Sequence, residues 1–154
     1  MASTLTASTL TVKITESITL NGSAQGSENT LSIGSIKKIY KRIVTCPASQ
    51  DTTISKLAGT VNASAGAIDI QDSKYIRVTN LDSANSIELA IVGAATLYQV
   101  KLSPKQSHIL GSADALMLAE ADTSPSFGTM ADITDIIVNP GGNNVSVEVF
   151  IASS

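Results

Sequence analysis

Four cations stand within six residues at Lys37, Lys38, Lys41 and Arg42, out of ten Lys and Arg in the whole chain. Positive charge concentrated in this way can hold a phosphate, an acidic neighbour or a nucleic-acid backbone. Base stacking needs several aromatic rings, and Tyr40 is the only ring in the run. Nucleic acid is therefore disfavoured. Two readings stay open: ion pairing between subunits, or a solvated strand face. Nucleophilic chemistry has thinner support. His108 is the sole histidine, set in Ser107-His108-Ile109, and no G-x-S-x-G elbow accompanies it. Cys46, the sole cysteine, lies between Thr45 and Pro47 on an apolar run, the usual setting of a buried structural thiol. One His and one Cys far apart make no structural zinc site. Asn80-Leu81-Asp82-Ser83-Ala84-Asn85 offers oxygens at short spacing but lacks the EF-hand order and its terminal Glu. A turn held by Asx hydrogen bonds is the competing reading. The pairs Glu120/Asp122 and Asp132/Asp135 fall in loop-like stretches and read as solvated charge. Gly141-Gly142 reads as a turn. No catalytic residue, metal or cofactor is expected, and the chain reads as a non-enzyme.

The elements that would position these residues are strands. In Asn143–Ala152, NNVSVEVFIA, apolar Val145, Val147, Val149 and Ile151 alternate with Ser146, Glu148 and Phe150. A side-chain period of two marks a strand with one buried face. Ile87, Leu89 and Ile91 repeat the pattern, as do Tyr98, Val100 and Leu102. Ile76 and Val78 join these as expected inward residues. Leu10, Val12, Ile14, Ile18 and Leu20 alternate as well, with Glu16 interrupting the apolar face. A bulge or an edge position near Glu16 would resolve that conflict. Asn21-Gly22 is a strong turn signal, with the loop expected to run to about Asn29 before a short strand at Leu31 and Ile33. Ile36 to Cys46 fits a helical face through Ile36, Ile39, Tyr40 and Ile43. It also fits a strand face through Tyr40, Arg42, Val44 and Cys46. The β-branched Ile43-Val44-Thr45 and the following Pro47 favour the strand. Asp114–Ala121, DALMLAEA, is the best helix candidate and is equally open to a strand reading.

Turn signals arrive about every ten residues, which predicts an all-β, two-sheet sandwich or jelly roll of about eight to ten short strands. Residues 1–8 read as a small polar arm and residues 9–154 as a single domain. At 154 residues the chain has room for one real core. Charged residues are only 15% of it, against about 25% in ordinary usage. Ser and Thr supply about a quarter of the chain. A hydroxyl-rich, charge-poor surface suits packing against neighbours; a plain Ser/Thr-rich β protein is the other reading. The net charge of −3 gives no global attraction to nucleic acid or an anionic membrane. A lone cysteine excludes an intrachain disulfide and suits assembly in a reducing cytoplasm. No run reaches the 18 apolar residues of a membrane span, and the N-terminus lacks a signal-peptide pattern. Three Asn-x-Ser triplets, at Asn21, Asn62 and Asn144, carry no meaning without a secretory route. Five aromatic residues, none of them Trp, disfavour a sugar-binding platform.

Three stretches together resemble small virion structural proteins of tailed bacteriophages, of the marine and cyanobacterial phage type. They are IYKRIVTCPASQDTTI at 39–54, KYIRVTNLDSANSIELAI at 74–91 and YQVKLSPKQSHIL at 98–110. The strand-turn-strand with Asn80-Leu81-Asp82 and the hairpin around Pro104 carry the resemblance, over about half the chain. It implies a sandwich or jelly-roll protein arrayed on a capsid or tail, assembled in the host cytoplasm and located in the virion. Decoration or cement protein of the head is the favoured role. A tail, fibre or adaptor component is the alternative, and a receptor- or glycan-binding module a further one. Implied partners are copies of the chain itself, as a trimer, and other virion proteins such as the major capsid protein. The basic run would then find acids on another copy, at Glu120, Asp122, Asp132 or Asp135.

Overall fold

The computed structural model describes residues 4–59, 67–94, 97–118 and 124–154. Among these residues there are thirteen strands and no helix. The strands are β1 (Ser8–Thr15), β2 (Thr19–Leu20), β3 (Ser23–Ala24), β4 (Glu28–Ile36), β5 (Lys38–Cys46), β6 (Thr52–Ala58), β7 (Ile68–Asp69), β8 (Ser73–Asn80), β9 (Ile87–Gly93), β10 (Leu97–Leu102), β11 (Ser107–Leu110), β12 (Ile133–Asn139) and β13 (Val145–Ser153). One sheet has the order β11-β8-β13-β5, and the other β10-β9-β12-β6-β7. Eight of the strands wind inward from the two ends of the chain. β5 pairs with β13, β6 with β12, β8 with β11 and β9 with β10, all antiparallel. The contacts β8·β13 and β9·β12 then close each sheet. That winding is a jelly roll, with the short parallel strand β7 added beside β6.

The alternating residues make the core. Val145, Val147, Val149 and Ile151 of β13 lie in one buried cluster with Ile76 and Val78 of β8 and Ile87, Leu89 and Ile91 of β9. Both sheets contribute to this cluster, so it is the filling between them. Burying each such side chain fully contributes about 1.5–3 kcal/mol. Val100 sits on the core's margin, half-buried, because β10 is an edge strand.

The N-terminal region departs from the sequence reading. A single register runs from Leu10↔Ile33 through Thr15↔Glu28 to Thr19↔Ala24 and Leu20↔Ser23. Backbone hydrogen bonds Glu16 N–H to Ser27 O and Gln25 N–H to Ile18 O carry it across the gap. β1 to β4 therefore form one long hairpin. Asn21 and Gly22, with φ of 51° and 77°, close it as a two-residue turn, the geometry for which Asn-Gly is preferred. The expected loop from Asn21 to Asn29 is absent because pairing resumes at Ser23. No bulge marks Glu16; the irregularity lies at Ser8/Leu10. The acid is tolerated because the strand is an edge exposed to water.

Asp114–Ala121 forms neither expected element over its described part. A turn at Asp114-Ala115, with Ala115 at φ 48°, leads to an isolated bridge between Met117 and Ala131. Residues 119–121 lie outside the described residues, as do residues 1–3 of the expected arm; residues 4–7 are exposed and outside any strand.

Candidate functional site: an apolar-faced hairpin and a free sheet edge

Directly opposed residues of an antiparallel pair share a face. One face of the hairpin therefore carries Leu10, Val12, Ile14, Glu16, Ile18 and Leu20 with Leu31 and Ile33, and the other carries Thr11, Lys13, Thr15 and Thr19 with Ser32, Thr30 and Glu28. Only the base of the apolar face is covered. Leu10, Val12 and Ile33 pack on a second cluster of Ile36, Tyr75 and Ala152, together with Phe150, on the outer face of the β11-β8-β13-β5 sheet. Every residue from Lys13 to Ser32 is exposed, and Ile18 and Leu20 are 54% and 59% accessible. An isolated two-stranded hairpin is at best marginally stable in water. The distal half has its turn, one cross-strand ion pair at 2.9 Å (Lys13–Glu28) and a Ser27 hydroxyl donating to the Glu16 carboxylate at 2.7 Å. Beneath the base, clefts of about 270 and 330 Å³ open between β1 and the sheet, lined by Val12, Ile14, Tyr75 and Ile109.

β5 is the other exposed feature. It ends its sheet and pairs only with β13 among the described strands. Tyr40, Val44 and Cys46 point into the roll. Ile39 and Ile43 point out and are 52% and 61% accessible. The strand period therefore splits the basic run. Lys41 shares the outer face with Ile39 and Ile43, whereas Lys38 and Arg42 fall on the Tyr40 side and Lys37 precedes the strand. Lys41 already has an acid in its own chain, Glu148 of β13, at 3.6 Å. Arg77 also binds Glu148. The Arg77 hydrogen bond, with the two positive charges, holds the Glu148 carboxyl below its ordinary value. The Arg42 guanidinium reaches the Tyr40 hydroxyl at 3.5 Å. Among the described residues Lys37, Lys38 and Arg42 form no ion pair.

The acids named as partners for that run are engaged elsewhere or undescribed. Asp135 pairs with Lys56 at 3.1 Å, and Asp132 accepts the Ala115 N–H at 2.7 Å. Glu120 and Asp122 lie outside the described residues. The Asn80–Asn85 loop takes the Asx form. Asp82 Oδ1 accepts the N–H groups of Ala84 and Asn85, both at 2.7 Å, which lowers its pKa. Asn80 is fully buried. Among the described residues no three His, Cys, Asp or Glu converge on a metal-sized site. Among the described residues no helix is long and apolar enough to cross a membrane. Cys46 is buried and its thiol pKa is raised by desolvation.

His108 and Tyr98 bridge the two sheets at the edge opposite β5. Their Nε2 and hydroxyl lie 3.0 Å apart, with rings edge to face. Burial pushes the His108 pKa below its ordinary value of about 6.5. The unfolded chain then takes up the proton first, so stability is full above about pH 6.5 and falls as pH drops from there through the folded-state value. Asp82 and Glu148 lose their contribution only at lower pH, since their pKa values are lowered. His108→Gln is expected to flatten the stability difference between pH 7 and pH 5, measured by urea denaturation at both. An unchanged difference would show that this pair does not govern it.

No family model and no curated protein matches the chain. A solved structure of the disulfide-linked pili that form Bacillus endospore appendages overlays 75% of this chain and 88% of its own, at 7% identity and a TM-score of 0.39. That likeness is too distant to transfer any role.

Proposed function

We propose that the chain is a non-enzymatic structural subunit that works in many copies on a virus particle, as a decoration or cement protein on the head of a tailed phage. The observation that carries the structural role is the hairpin arm, whose apolar row stands in water from Ile14 to Leu20. A rigid roll with an unsupported, amphipathic arm is built for attachment to something else. Exposed apolar surface of this kind marks association. The low charge and abundant hydroxyls fit a surface that is covered in use. Placement on a phage particle comes from the strand-and-turn resemblance at 39–54, 74–91 and 98–110, and the head is favoured over the tail because the sequence lacks the long repeats a fibre shaft needs. Partners under this reading are further copies of the chain and the major capsid protein, with an oligomer such as a trimer as the attaching unit. The test is labelling of this protein on purified particles, read by electron microscopy. Copies spread over the head lattice are expected. Copies confined to the tail axis would make it a tail, fibre or adaptor component, and absence from particles would overturn the reading.

A further inference from the structure

We infer that the arm of one copy closes the open side of the roll in a second copy, where it lies antiparallel beside β5 with its apolar row turned inward and Glu16 against Arg42. The inference rests on the multi-copy reading and names the surface that the arm meets. β5 and β7 end the two sheets on the side away from Tyr98 and His108. A cleft of about 240 Å³ opens there between the sheets, lined by Tyr40, Ile68 and Ile151 with Lys38 and Asp69. Among the described residues no strand pairs with the outer edge of β5, and such an edge is a template for another chain.

Backbone phase fixes which residues can meet. The Ser146 carbonyl accepts the Leu81 N–H on the β8 side, so Val147, Val149 and Ile151 bond across to Val44, Arg42 and Tyr40. The N–H and C=O groups of Ile39, Lys41, Ile43 and Thr45 are left pointing to the free edge. In the arm, the Glu16 N–H and the Ile18 C=O bond Ser27 and Gln25. The groups of Lys13, Thr15 and Ser17 therefore point away from the returning strand, to the arm's own free edge. Antiparallel pairing joins these two sets: Lys13 bonds Thr45, Thr15 bonds Ile43 and Ser17 bonds Lys41. Ile14, Glu16 and Ile18 then fall between the hydrogen-bonded pairs, opposite Val44, Arg42 and Tyr40 and on the inward face of β5.

The inward pairs of this register are complementary. Ile14 covers half-buried Val44, and Ile18 covers half-buried Tyr40 at the wall of the cleft. Glu16 meets Arg42. Among the described residues neither has an ion partner in its own copy: the Glu16 carboxylate accepts the Ser27 hydroxyl, and the Arg42 guanidinium reaches only the Tyr40 hydroxyl. Cross-strand apolar and opposite-charge pairs are the stabilising units of a sheet. Lys41 keeps Glu148 on the outer face. A shift of two residues either way sets Glu16 against Tyr40 or Val44. The shift of four that sets Glu16 against Lys38 calls on Leu10 and Val12, which already pack on Ile36, Tyr75 and Ala152. A parallel arrangement would turn the Thr and Lys13 face of the arm inward. Two β5 edges together would set Lys41 against Lys41, or Arg42 against Arg42 or Lys38, so like charges guard against that partner. The arm cannot serve its own β5, since its base lies across the outer face of the sheet that β5 ends. The contact joins two different surfaces and so builds a ring or a chain of copies.

The test uses the full chain with Glu16→Cys and Arg42→Cys together, oxidised under mild conditions. Opposed residues of a non-hydrogen-bonded pair lie about 4.5 Å apart at Cα, within disulfide reach, and Cys46 is buried. A ladder of covalent dimers, trimers and larger species is expected on a non-reducing gel, reversed by reductant. Glu16→Cys with Lys41→Cys places the thiols on opposite faces and is expected to give none. As an independent check, Glu16→Lys should weaken association about fivefold, and adding Arg42→Glu should restore it. If the native chain assembles but the Glu16/Arg42 cysteine pair gives no ladder, or the Glu16/Lys41 pair gives as much, and the charge swap fails to rescue, this landing site is wrong while the multi-copy reading stands. If the native chain never leaves the monomer, the multi-copy reading fails first.

Discussion

Replacing Asn80 with Leu is expected to cost about 3–5 kcal/mol of folding stability. Its Nδ2 donates to the carbonyls of Asn85, Leu102 and Ser103 at 2.9, 3.2 and 3.3 Å. Its Oδ1 accepts the Asp82 N–H at 3.0 Å. One buried amide thereby ties the end of β8 to the β8–β9 turn and to the end of β10. Leucine is similar in size but satisfies none of these groups. A carbonyl left dry and unpaired costs about 1–3 kcal/mol; the Leu102 carbonyl is the buried one, while the Ser103 carbonyl keeps the Gln106 N–H. In a domain of this size about 2–4 °C is lost per kcal/mol, so the melting temperature should fall by roughly 6–20 °C. Asp82→Ala, which removes one exposed and two part-buried Asx hydrogen bonds and leaves no fully buried group unpaired, should cost less. Thermal unfolding followed by circular dichroism checks both. A loss at Asn80 no greater than that at Asp82 would show that the buried amide is not the tie described.

The second large effect concerns association. Ile18→Asp with Leu20→Asp places two carboxylates on the arm's apolar row, at positions already more than half exposed. Folding should be nearly untouched, because neither side chain packs on the roll. Association should suffer, since two half-exposed apolar side chains lose about 2 kcal/mol of further burial between them and two charges are desolvated. A drop of at least about 30-fold in the association constant follows.

Much of the roll was legible because burial and alternation coincide. β9 and β13 carry unbroken period-two rows, and each row is buried. The pairing of β5 with β13 was not legible, since nothing local at Lys38–Cys46 names Val145–Ser153 as its neighbour. The arm shows a sharper limit. Leu10 to Leu20 alternates just as a core strand does, so the pattern reveals an apolar face without saying whose surface covers it. Asn80 read as a turn residue because its carbonyl partners come from 22 or 23 residues further along the chain. At Asp114–Leu118 good helix formers lost to a turn through Ala115 and the backbone bridge from Met117 to Ala131. The basic run reads as one cluster only in one dimension; on β5 the strand period sends Lys41 to one face and Lys38 and Arg42 to the other.

That the arm exists to join copies is tested most directly by sedimentation velocity of the native chain over a wide concentration range, beside the Ile18→Asp/Leu20→Asp variant. Species larger than a monomer that grow with concentration in the native protein, and a variant shifted strongly toward monomer with an unchanged melting temperature, are the predicted result. A native chain that stays a single monomeric species at the highest concentrations, or a variant that assembles as well as the native chain, would contradict it.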